Sequence, residues 1–146
     1  MKLVYIAGKY TDKTFAGVDR NIKIADALGM QVVKRFGKVG QGVMVMIPHN
    51  NTPLHWEVAQ PGQWFYDATM ELLKRCDACI YVPGDNSPHI SPGTANEIKY
   101  CLDNGKPAFS GDETGLHAFA RWLDGTPECN NCGGDPYWQP CDECGR

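Results

Sequence analysis

The chain has 146 residues, enough for one compact domain with a small appendage. Hydrophobic residues make up 42% and charged residues 21%, too apolar for a disordered chain, and no apolar run approaches the roughly 18 residues of a membrane span. Seventeen acids against fourteen bases leave a net charge of −3, so a generic electrostatic grip on nucleic acid is not expected. A small phosphorylated ligand stays open, because it needs local donors rather than global charge. The start, MKLVYIAGKY, has neither the long apolar stretch nor the small-residue cleavage site of a signal peptide, so the expected location is the cytoplasm.

Residues 2–7, KLVYIA, form an apolar run ending at Gly8, as a buried strand would. From about Val18 to Phe36, apolar residues at 18, 22, 25, 28, 32 and 36 mark one face of a helix. VMVMI at 43–47 reads as a second buried strand stopped by Pro48. Residues 48–62, with His49, Asn50, Asn51 and His55, read as a long loop, the kind that usually carries function. A second helix is expected from Trp64 to Arg75, with Phe65, Ala68 and Leu72 inward, and a third strand at 78–82. A polar loop leads into a helix from about Thr94 to Leu102, which Asn104-Gly105 ends. KPAF at 106–109 and residues 115–123 complete the alternation as a fourth strand and a last helix.

This alternation predicts an α/β fold: a three-layer, Rossmann-like or flavodoxin-like parallel sheet covered by helices over residues 1–125. Ligands in such sheets sit at the carboxyl ends of the strands, here the loops 8–17, 48–63 and 83–96. The sharpest local feature is SPGTANE at 91–97, a turn entering a helix. Ser91, Gly93 and Thr94 would present hydroxyls and backbone N–H groups to an anion, with Glu97 about one turn further on the same side. On pattern alone, a Ser91 or Thr94 cap with Glu97 as a helix-dipole partner explains the same residues.

Together, IAGKY at 6–10, the helix carrying Asn21, the CDACIYVPG strand and SPGTANEIKYCLDNGKP resemble the nucleoside 2-deoxyribosyltransferase superfamily over most of residues 2–110. The resemblance is to its small phage-type members and touches the 2′-deoxynucleoside 5′-phosphate N-hydrolases. GTxxE is also shared with the lonely-guy phosphoribohydrolases, whose full double-glycine motif this chain lacks. The resemblance implies that Glu97 is the nucleophile at an anomeric carbon and that Ser91 contacts phosphate. It also implies that Gly8 and Tyr10 belong to a first-strand turn closing around the sugar. Lys9 stands where the family has proline and Thr11 where it often has arginine, so Lys9 is a candidate phosphate or base contact. Asp67 is the candidate for the family's acid near the sugar.

The implied activity is cleavage or transfer of an N-glycosidic bond on a nucleoside or nucleoside 5′-monophosphate, with hydrolysis favoured over transfer. A carboxylate under the anomeric carbon stabilises an oxocarbenium-like state or forms a glycosyl ester. Asp67, Asp85, His49 and His89 are candidate proton donors to the base, and His89 equally a phosphate contact. Trp56, Trp64 and Phe65 could stack a base or fill core. The rival readings are a non-catalytic nucleotide-binding module that senses or sequesters its ligand, and a zinc-dependent nucleic-acid adaptor. A homo-oligomer is expected and no organic cofactor is.

Cys76 and Cys79 lead into an apolar strand and read as structural rather than redox-active. Residues 126–146 differ. Cys129, Cys132, Cys141 and Cys144 form CxxC-x8-CxxC, which can aim four thiolates at one structural Zn²⁺ and leave no open coordination position. So short a segment buries little core, and metal would supply its folding free energy. Its acidic residues favour a structural clip or dimer contact over nucleic-acid binding.

Overall fold

The computed structural model describes residues 1–39, 42–51, 61–84 and 90–125. The amino-terminal apolar run forms strand β1 (Lys2–Ala7), and its alternation supplies both faces of the sheet. Val4 and Ile6 enter one core, Tyr5 and Ala7 the other, and all four are fully buried. β1 pairs with β2 (Val43–Met46) on one side and β3 (Ala78–Tyr81) on the other, and β3 pairs with β4 (Ala108–Ser110). Every pairing is parallel, in the order β2-β1-β3-β4, with Tyr5 opposite Cys79.

Helix α1 (Phe15–Phe36) packs Ala25, Leu28 and Val32 against Val4 and Ile6. It begins three residues before the apolar periodicity suggests, because the Thr14 side chain accepts from Gly17 N and caps it there. A 3₁₀ turn at Pro48–Asn51 occupies the start of the expected long loop. Helix α2 (Gly62–Arg75) and helix α3 (Pro92–Asp103) cover the opposite face, where Leu73, Cys76, Cys79 and Cys101 pack with Tyr5. Helix α4 (Glu113–Asp124) returns to the α1 face with Leu116 and Phe119 and ends at Gly125, whose φ of 68° is readily adopted only by glycine.

The three layers match the sequence expectation, with element ends shifted by a few residues. The fourth strand starts at Ala108 rather than Lys106, and α3 starts at Pro92 because Ser91 is its cap. In α2 the buried positions are Phe65 and Leu73, not Ala68 or Leu72, and Trp64 is 54% exposed. Among the described residues, no helix is long and apolar enough to cross a membrane. The four tail cysteines lie outside the described residues.

From β1 the chain steps to β2 on one side, and from β3 to β4 on the other. The order therefore reverses between β1 and β3, and the crevice at their carboxyl ends is where a doubly wound sheet binds ligands. Gly8 leaves β1 there, and α3 starts just beyond β3.

Candidate active site

Ser91 sets the geometry of the site. Its Oγ accepts from Thr94 N at 3.2 Å and lies 2.8 Å from Thr94 Oγ1, while Pro92 opens the helix without an N–H to satisfy. Fixing that first turn puts Thr94, Glu97 and Cys101 on one buried face of α3. Glu97 is 8% exposed, and the buried Tyr5 hydroxyl of β1 donates to its Oε1 at 2.7 Å. Burial pushes the Glu97 carboxyl up from 4.5 to about 7, with the Tyr5 hydrogen bond pulling the other way. Burial, then the Glu97 charge, push the Tyr5 phenol far above its ordinary value, so Tyr5 acts there as a donor. Glu97 is thus poised between acid and carboxylate near neutral pH, the condition expected of a working group in a cleft.

A cavity of about 420 Å³ opens over this pair, within the roughly 300–1,000 Å³ of small-molecule sites. Tyr5 and Glu97 line it together with four groups of residues. Gly8, Tyr10 and Thr11 come from the β1–α1 connection, and Pro48 and His49 from the 3₁₀ turn. Gly62, Phe65, Tyr66 and Thr69 come from one stripe of α2, and Ser91 to Thr94 from the start of α3. The lining is mainly apolar and aromatic, suited to a flat ring, with the single carboxylate among its described residues at Glu97.

His49 is 3% exposed, and its Nε2 lies 3.1 Å from the Lys9 carbonyl oxygen. A carbonyl only accepts, so Nε2 carries the proton, and burial holds the imidazole below its ordinary pKa and therefore neutral. The ring seats edge-on to Tyr10, with centroids 6.0 Å apart. A Cβ at position 8 would lie 3.0 Å from Val82 Cγ2 and 3.5 Å from His49 Cε1, so the glycine leaves room for this contact.

The structure brings together Gly8, Tyr10, His49, Ser91, Gly93, Thr94 and Glu97. It does not bring Lys9 or Asp67. The Lys9 amine pairs with Asp12 at 3.7 Å, and only the Lys9 carbonyl meets a cavity residue. Asp67 is exposed, accepts from Gln63 at 2.8 Å and lines a separate surface hollow with Trp64, Glu71 and Lys74. The reason is helical: with Phe65, Thr69 and Leu73 inward, a residue two places from both Phe65 and Thr69 faces out. Trp56, Asp85 and His89 lie outside the described residues. Cys76, Cys79 and Cys101 are buried free thiols.

Sequence reasoning missed Tyr5, Thr69 and Tyr66. The signal for Tyr5 was its phenol in a strand buried on both faces, since a buried hydroxyl requires a partner. For Thr69 it was a hydroxyl at helical spacing between Phe65 and Leu73.

No protein-family model matches the chain, and no curated protein matches it. Solved structures do. The chain has the fold of a 2-desoxiribosyltransferase. The enzyme so described, from Leishmania mexicana, aligns with a TM-score of 0.52 at 22% identity over 75% of this chain and 63% of its own. A conserved protein from Enterococcus faecalis V583 aligns with a TM-score of 0.55 at 17% identity over 75% of this chain and 62% of its own. A 2-deoxyribosyltransferase from Bacillus psychrosaccharolyticus gives 0.49 at 20% identity, covering 74% of this chain and 70% of its own. The chain spans under two thirds of the length of the first two, and the likeness is one of fold.

Proposed function

We propose that this protein cleaves the N-glycosidic bond of a nucleoside or nucleoside 5′-monophosphate, with Glu97 as the nucleophile at the anomeric carbon. The observation that carries the reading is the buried carboxylate, alone among the described residues of an aromatic-lined cavity at the topological switch point and hydrogen-bonded by a buried phenol. The fold shared with a 2-desoxiribosyltransferase supports it.

In this reading the ionised Glu97 attacks C1′ as the C1′–N bond breaks, and the base departs with the bonding pair. Tyr5 holds Oε1, which leaves Oε2 to form the glycosyl ester. Water then attacks C1′ as the ester C1′–O bond breaks, and one of its protons passes to the departed base, releasing the sugar and restoring the carboxylate. A second base that gives up its N–H proton in place of water would give transfer. Forming the ester neutralises a charge that burial disfavours, so the desolvation that raises the Glu97 pKa also favours attack. With Asp67 in solvent and His49 neutral, the described cavity offers hydroxyls, at Tyr10 and Tyr66, to hydrogen-bond the departing base. The Ser91 and Thr94 hydroxyls and the Gly93 N–H, at the positive end of α3, suit a 5′-phosphate and favour hydrolysis of monophosphates.

Cys129, Cys132, Cys141 and Cys144 would hold a structural Zn²⁺, since four thiolates close the coordination shell and leave the ion no part in the reaction. The enzyme would work in the cytoplasm. The test is chromatography of common nucleosides and their 5′-monophosphates incubated with wild type and Glu97→Ala, with and without an acceptor base. Free base with wild type alone supports the reading, and a requirement for acceptor would make the reaction transfer. Ligand-induced stabilisation without release from any substrate would replace it with a binding module.

A further inference from the structure

Residues 8–13 connect β1 to α1 outside any helix or strand, and three of them, Gly8, Tyr10 and Thr11, line the cavity. With no ladder to hold this backbone, side chains hold it instead. The buried His49 ring donates from Nε2 to the Lys9 carbonyl at 3.1 Å. Asn21, in the second turn of α1, donates from Nδ2 to the Tyr10 carbonyl at 3.1 Å and lies 3.5 Å from the Thr11 carbonyl. Both oxygens only accept, so the NH₂ end of the amide faces them. Asn21 falls three residues after Val18 and four before Ala25, at the spacing of the buried stripe of α1. Leucine would continue that stripe and is the better helix former, so what asparagine adds there is its N–H donors.

We infer that Asn21 is a positioning residue, whose amide holds the Tyr10 carbonyl and so sets the Tyr10 ring as a fixed wall of the cavity. The Lys9 and Tyr10 carbonyls belong to the two peptide planes that meet at the Tyr10 Cα. Holding both planes, by His49 on one side and Asn21 on the other, fixes φ and ψ of Tyr10 and hence where its side chain leaves the backbone. The half-buried ring then stands edge-on to His49, with centroids 6.0 Å apart, against the space a ligand would fill. A wall set before the ligand arrives spares the binding step the entropy of ordering the turn. Asn21 is not among the residues that line the cavity and acts through Tyr10.

The inference deepens the proposed function and rests on it for what the wall does, so its test has one arm free of turnover. In protein labelled with 3-fluorotyrosine, the ¹⁹F lines of Tyr10, Tyr81 and Tyr100 are each assigned by the phenylalanine variant. Asn21→Leu and Asn21→Asp, which both remove the N–H donors, should shift or broaden the Tyr10 line. The lines of Tyr81 and Tyr100, which pack in the core on the α2 and α3 side, should stay in place. A Tyr10 line that stays in place in either variant would overturn the inference, as would Tyr81 and Tyr100 lines that move with it, since Asn21 would then serve packing in general. In the second arm, Asn21→Leu should raise KM for the cleaved substrate about fivefold, the weight of one hydrogen bond, with kcat within about twofold. In a Tyr10→Ala background the same change should add nothing, and an undiminished rise there would overturn the route through Tyr10. Should no substrate release base, the proposed activity would fall while the ¹⁹F lines still decided whether Asn21 sets Tyr10.

Discussion

Replacing Glu97 by glutamine should stabilise the protein, and by an amount that depends on pH. The burial that lifts the carboxyl from 4.5 to about 7 makes ionised Glu97 costlier in the folded chain than in the unfolded one by about 3 kcal/mol. Below pH 4.5 the carboxyl is protonated in both states and the cost is absent. As pH rises, the unfolded chain gives up its proton first, and the stability held at low pH is lost until the folded carboxyl ionises near pH 7. Glutamine keeps an oxygen to accept from Tyr5 and carries no charge at any pH. Urea denaturation of both proteins, at half-unit intervals from pH 4.5 to 8.5, should therefore give a difference that grows in favour of Glu97→Gln. By pH 8 it should reach about 3 kcal/mol, or a midpoint shift of roughly 1–2 M urea. The neutral, buried His49 also titrates on unfolding, but it is common to both proteins and cancels in the difference. A flat difference, or one that shrinks as pH rises, would refute the claim that Glu97 is held against its charge.

Four further outcomes follow from the same geometry. If the carboxylate is the nucleophile, kcat/KM should rise with pH to a plateau through a midpoint near 7, and Tyr5→Phe, which removes the donor to Oε1, should move that limb to higher pH. Asp67→Asn should leave base release within about twofold of wild type, since Asp67 meets Gln63 and solvent; a loss beyond about tenfold would put an acid there after all. Ser91→Ala should cost about 1 kcal/mol of stability through the lost cap and raise KM for monophosphates more than for nucleosides, a split read from paired substrates. Elemental analysis should find one zinc per chain, and paired Cys129→Ser and Cys132→Ser should abolish it while base release persists.

Much of the fold could be read from the sequence because its strands are short apolar runs and its helices carry regular stripes. α1 shows this well: the spacing of Val18, Ala25, Leu28 and Val32 marked the face that the structure buries. α2 shows the limit. Leu72 and Leu73 are both leucine, so composition does not say which faces in, and choosing Leu72 shifts the stripe beyond Phe65 by one residue. That shift hides Thr69, whereas Asp67 came from the family resemblance alone, and the structure leaves it exposed beside Gln63. Glu97 was visible because the cap, the proline and the carboxylate fall within one short segment. Tyr5 was not. Its strand reads as uniformly apolar, and only the pairing of β1 with β3, beneath α3, brings a phenol from one end of the chain to a carboxylate 92 residues away.

The most direct test of the account is to trap the glycosyl ester. A nucleoside analogue with fluorine at the 2′ position slows formation and breakdown of an oxocarbenium-like state, and with a good leaving base it should accumulate the covalent intermediate. Rapid acid quenching, intact mass measurement and peptide mapping should then find one fluoroglycosyl group per chain, on the peptide containing Glu97 and absent from Glu97→Gln. Base release by Glu97→Gln at the wild-type rate, or an adduct mapped to another residue, would contradict the assignment of Glu97 as nucleophile.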